Sequence, residues 1–154
     1  MSSSNSRSDA TINSASRTDG ASWDEGVNHY ITAKAHANLA VGDVVAITAG
    51  VAGPLTAAVS TLAAPGQEIA VVCDVIASGA FGRMQTRGFA EAAVEGTTDV
   101  AAGDFLKVTN TLNEFVKDGA AKTVNSSAVA IDAQAANNNV VVSVYLLGTP
   151  AVIA

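Results

Sequence analysis

One ten-residue phrase is written twice in this chain, and that repetition limits the fold more than any other feature. Leu39-Ala40-Val41-Gly42-Asp43-Val44-Val45-Ala46-Ile47-Thr48 returns as Val100-Ala101-Ala102-Gly103-Asp104-Phe105-Leu106-Lys107-Val108-Thr109, with Ala, Gly, Asp and Thr kept and mostly apolar residues elsewhere. A second pair follows, Ala70-Val71-Val72-Cys73-Asp74 and Ala128-Val129-Ala130-Ile131-Asp132. Two blocks in the same order at nearly the same spacing predict a duplicated β unit, about 39–89 and 100–148. Each Gly-Asp stands where a turn hands over to an apolar run, because glycine accepts positive φ and an aspartate side chain can bond nearby backbone. Gly42, Asp43, Gly103 and Asp104 are therefore read as structural turn residues without a chemical role.

The body so predicted has a small-residue interior. Hydrophobic residues make up 49% of the chain but aromatic ones only 5%, so the core is mainly Ala and Val. Such side chains each bury little area, which predicts modest stability alone and a contribution from association. The formal net charge is −6, and the eight basic residues, Arg7, Arg17, Lys34, Arg83, Arg87, Lys107, Lys117 and Lys122, are scattered. Binding nucleic acid requires a clustered positive stripe, so no nucleic-acid partner is expected.

Catalytic and metal-binding patterns find no support. Cys73 is the single cysteine, which excludes an intrachain disulfide and a CxxC motif, and its apolar run Ile69 to Cys73 reads as buried strand. His29 and His36 are separated by an odd offset, which in a strand puts them on opposite faces, so even with Asp24 and Glu25 nearby they form no compact metal ligand pair. No G-x-S-x-G elbow is present, and Gly79-Ala80-Phe81-Gly82-Arg83 lacks the G-K-[ST] ending of a phosphate loop. Glu91 and Glu95 fall on one strand face, where solvation or a cross-chain salt bridge is their role. No catalytic residue, cofactor or metal is expected.

Residues 1–28 read as an extended polar arm, rich in Ser, Asn, Thr and Asp, with Ile12 the only sizeable aliphatic before Trp23. A segment of this composition does not fold alone, so it is expected to order against a neighbouring chain with Trp23 as anchor. It holds no apolar h-region, so no signal peptide is expected. Residues 29–154 form the β-rich body, with short apolar runs between Gly-, Pro- and Asn-containing turns. That spacing predicts an all-β fold, a duplicated short-strand sandwich or barrel-like body. Strands are expected near 29–36, 43–48, 68–76, 81–87, 89–95, 104–109, 113–117, 127–133 and 139–147, with a hairpin turn at Asn137-Asn138-Asn139. Thr56 to Ala64 is Ala-rich enough for a short helix, while Thr56, Val59 and Thr61 favour strand or loop.

The ordered series Ala40-Val41-Gly42-Asp43-Val44-Val45, Ile69 to Asp74, Gly79-Ala80-Phe81-Gly82-Arg83-Met84-Gln85-Thr86-Arg87-Gly88, Val100 to Leu106, Ala128 to Asp132 and Val140-Val141-Val142-Ser143-Val144 resembles the small capsid decoration, or cement, proteins of tailed bacteriophages. The resemblance covers residues 36–148 and lies in the joint order of the motifs. It implies a structural, non-enzymatic virion protein on the outer surface of an icosahedral head, commonly a homotrimer, made in the host cytoplasm and clamping neighbouring major capsid subunits. The alternative of the same class is a tail-tube or other virion β protein. A sugar-binding module is disfavoured, since Trp23, Tyr30 and Tyr145 are the only Trp and Tyr available for a carbohydrate platform.

The segment Val140 to Ala154, broken by Gly148 and Pro150, is too short to span a bilayer, so no membrane partner is expected. Val152 and Ile153 near its end either fold back over the chain's own core or are buried between subunits or against the shell. The partner-binding candidates are thus Arg7, Ile12, Arg17 and Trp23 in the arm and Val152 and Ile153 in the tail.

Overall fold

The computed structural model describes residues 22–49, 55–59, 68–108, 113–136 and 140–148. Among these residues ten strands form and no helix: β1 (Ser22–Glu25), β2 (Asn28–Ala35), β3 (Val44–Ala49), β4 (Leu55–Val59), β5 (Glu68–Val72), β6 (Phe81–Val94), β7 (Phe105–Val108), β8 (Phe115–Gly119), β9 (Ala128–Ala130) and β10 (Val140–Leu146). They hydrogen-bond in the order β1-β2-β4-β3-β5-β6-β10-β9-β7-β8, with further pairings of β2 to β6 and β6 to β8. The fold is all-β.

The duplication is written into the pairing. The first half uses β2, β3, β4, β5 and the start of β6; the second uses the end of β6, then β7, β8, β9 and β10. In each, the first strand runs parallel to the third and antiparallel to the fifth, while the second pairs antiparallel with the third and fourth, and the fourth with the fifth. The lone bridges Leu39 to Ile76 and Val100 to Gln134 also fall at equivalent points. Each half curls on itself into a barrel-like unit. The parallel seam that draws it together is narrow, Lys34 to Thr56 and Ala35 to Ala57 in one half and Val94 to Phe115 in the other.

Strand alternation sorts the side chains into two interiors. Ile31, Ala33, Ala35, Leu39, Val45, Ile47, Ala70, Val72, Ile76 and Met84 fill the first half. Ala92, Val94, Val100, Leu106, Val108, Phe115, Ala128, Ala130, Val142, Val144 and Leu146 fill the second, and the same cluster takes in Val44, Ala46, Ile69 and Val71 from the opposite face of β3 and β5. The second half therefore covers one outer face of the first.

Three sequence expectations shift. The body begins by Ser22, not at residue 29, because Ser22–Glu25 pairs with β2 across the Gly26-Val27 turn, where Gly26 has φ of 65°. The two strands expected near 81–87 and 89–95 are one strand, continuous through Gly88. Thr56 to Val59 is strand, held between β3 and β2; the rest of that ambiguous stretch, and Asn137 to Asn139, lie outside the described residues.

The two Gly-Asp turns are superimposable in their bonding. Gly42 and Gly103 take φ of 93° and 91°. Asp43 Oδ2 accepts from the Ala40 amide at 2.8 Å, and Asp104 Oδ2 from the Ala101 amide at 2.8 Å. Asp104 is also bridged by Lys117 Nζ at 2.8 Å, a bond that, with the Ala101 amide, holds its carboxyl below the ordinary value near 3.8. Asp43→Ala is expected to cost about 1 kcal/mol, the worth of one hydrogen bond, and Asp104→Ala more, because it also leaves the Lys117 ammonium without its bridge. A carboxyl with a depressed native value contributes stability above its unfolded value and loses it as pH falls through the native one. Acid titration of unfolding should therefore show a shallower loss below pH 3.8 in Asp104→Asn than in the parent.

Candidate functional site

The two halves meet along a groove of about 440 Å³, and its geometry begins at the centre of β6. Gly88 has φ of 96°, a conformation that a side chain resists. Gln85, buried one turn of the pleat earlier, donates through Nε2 to the carbonyls of Arg87 at 3.0 Å and Phe89 at 2.7 Å. From the other side Asn28 Oδ1 accepts from the Phe89 amide at 2.9 Å, and Asn28 Nδ2 donates to the Tyr30 hydroxyl at 3.3 Å. The kink is thus clamped from both sides by residues of the first half. It sets the walls of the groove: Tyr30, Val71, Cys73 and Arg83 on one side, Phe89, Glu91, Ile131 and Ser143 on the other, with Val41 at the rim.

The charged groups in these walls are engaged with neighbours. Arg83 lies over the Tyr30 ring, 5.5 Å from its centroid, with Nη2 3.4 Å from Asp74 Oδ1. Glu91 Oε1 accepts from Ser143 Oγ at 2.9 Å. Burial pushes the Cys73 thiol up to about 11 against the opposing Arg83 charge, so it is neutral at physiological pH and a poor nucleophile. Apolar and aromatic walls with paired charges suit the docking of a protein surface.

Of the residues singled out from sequence, Trp23 sits on β1 and stacks on Tyr30 at 5.6 Å and 20°, while its indole Nε1 donates to Glu25 Oε2 at 2.9 Å. It packs on its own chain at the edge of the groove wall. Arg7, Ile12, Arg17, Val152 and Ile153 lie outside the described residues. Gly42, Asp43, Gly103 and Asp104 form the paired turns above. His29 bonds Asp24 across the hairpin, Nδ1 to Oδ1 at 2.7 Å, and among the described residues no group of three His, Cys, Asp or Glu side chains is placed to hold a metal. Sequence reading missed Gln85, Asn28 and Phe89; a glycine inside an apparent strand followed by Phe was the available signal.

No family model matches the chain, and no curated protein matches it by sequence. Among solved structures, the N base of the head fiber gp8.5 of bacteriophage phi29 is similar, with a TM-score of 0.53 over 79% of this chain and 95% of that one, at 14% identity. Nearly the whole of that domain therefore shares this fold with the chain.

Proposed function

We propose that this chain is a structural protein of a tailed-phage virion that sits on the outer surface of the head as a decoration protein, clamping neighbouring major capsid subunits. The observation that carries the reading is the fold likeness to a head fiber base over 95% of that domain, joined to the ordered motifs of residues 36–148. Two further features support it. The net charge of −6 suits an outer surface and keeps the protein from the packaged nucleic acid. The trimer common among such proteins makes attachment multivalent, so modest contacts hold firmly.

The residues ahead of β1 supply the polar arm of this clamp. Deleting residues 1–21 is expected to leave the melting temperature of the body unchanged, since the sheet among the described residues starts with Ser22–Glu25, while lowering occupancy on undecorated heads at least tenfold, the effect of losing about 1.4 kcal/mol of binding. Occupancy equal to that of the full chain would remove the arm from the clamp. A virion reconstruction tests the reading as a whole: density on the shell exterior supports it, and density along the tail replaces it with the tail-tube alternative.

A further inference from the structure

The two halves carry the same four-residue row, and one copy of it is covered more deeply than the other. In the first half Tyr30, Gln85, Val71 and Val44 stand opposite one another in turn across β2, β6, β5 and β3. In the second, Phe89, Tyr145, Val129 and Phe105 do so across β6, β10, β9 and β7. The repeat relates the rows member by member, and both lie on the side of the sheet away from their own half's interior. In the first row Val44, Val71 and Gln85 are 4%, 1% and 4% exposed, and the valines are buried in the cluster that holds the second half's core. The second row is more open among the described residues: Phe89 is 56% exposed, Tyr145, Val129 and Phe105 are half-buried, and beside the row Ile131 is 41% exposed.

Composition sharpens the contrast. Where the covered row has Gln85 and Val44, the open one has Tyr145 and Phe105, and Phe89 meets Tyr145 edge-on at 4.9 Å and 75°. The chain has only four Phe and two Tyr, and three of the six stand in this row. An aromatic cluster with a largely exposed member, flanked by exposed Ile131, marks an interaction surface.

We propose that the row Phe89, Tyr145, Val129, Phe105 is the docking surface for a second copy of this chain, which seats on it as the second half seats on the first. The occupant follows from the repeat: the equivalent row is already covered by a piece of this same fold, so the contact made once within the chain is continued between chains. Such a head-to-tail contact joins two different surfaces and closes into a ring or extends. Phe89 and Ile131 also line the groove between the halves, so the incoming copy reaches into it.

Sedimentation equilibrium of the full chain across a concentration series tests this, independently of any virion role. The parent is expected to self-associate, and Phe89→Asp combined with Ile131→Asp to raise the dissociation constant at least about 100-fold, two anchor residues' worth. Val75→Asp, at a site 80% exposed and off the row, should associate like the parent. Should the double variant fail to melt cooperatively, Phe89→Ser alone, at a largely exposed position, is expected to weaken association about tenfold. A parent that stays monomeric at every concentration, or folded row variants that associate as tightly as the parent, would overturn the proposal.

Discussion

Phe115→Ala is expected to lower unfolding stability by about 4 kcal/mol, the middle of the range for a buried phenylalanine. Phe115 is fully buried. It forms the one register pair of the second half's parallel seam, with Val94, and its carbonyl accepts from the Glu95 amide at 2.8 Å. Its neighbours in the core are mainly Val and Ala, fixed to strands and too short to reach into the space a benzyl group leaves. The cavity stays open, and the full transfer and cavity penalties apply. Urea titration should show an earlier midpoint with an unchanged slope, and Phe115→Leu should recover most of the loss, costing about 1.5 kcal/mol or less.

Gly88→Ala is expected to cost about 3 kcal/mol through two additive causes. A residue other than glycine at φ of 96° costs on the order of 1–2 kcal/mol in backbone strain. The added Cβ would also lie 2.8 Å from Asn28 Cα and 2.9 Å from the Val27 carbonyl oxygen, backbone atoms of the β1–β2 hairpin that move only with the whole turn, and overpacking of that kind costs about 1–3 kcal/mol. Gly103→Ala separates the causes. Its φ is 91°, but nothing lies within 4 Å of the added carbon, so it should lose only the strain of about 1–2 kcal/mol. Thermal melts of the two variants side by side read the difference directly.

Much of the architecture was legible because it depends on local grammar. The Gly-Asp phrases specify turns, and the turns divide the chain into strands at matching intervals, so the duplicated all-β body follows from residues read in order. The missed elements fail for physical reasons. Ser22–Glu25 is polar apart from Trp23 and alternates too briefly to declare a strand; pairing with β2 makes it one. Gly88 reads as a break because glycine usually ends a strand, yet Gln85 and Asn28 satisfy the bonds around it and carry β6 through. The aromatic row was out of reach for a different reason. Its members come from four strands whose registers are set by tertiary pairing, and nothing local brings Phe89, Tyr145, Val129 and Phe105 together.

The continuity of β6 has a thermodynamic consequence. Its first residues complete one half and its last residues open the other, so neither half owns a full set of strands without the same fourteen-residue segment. Opening either half strips hydrogen-bond partners and apolar cover from the other, which removes the free-energy minimum at which one half would stand folded beside an unfolded neighbour. The duplicated chain is therefore expected to unfold as one cooperative unit in a single transition.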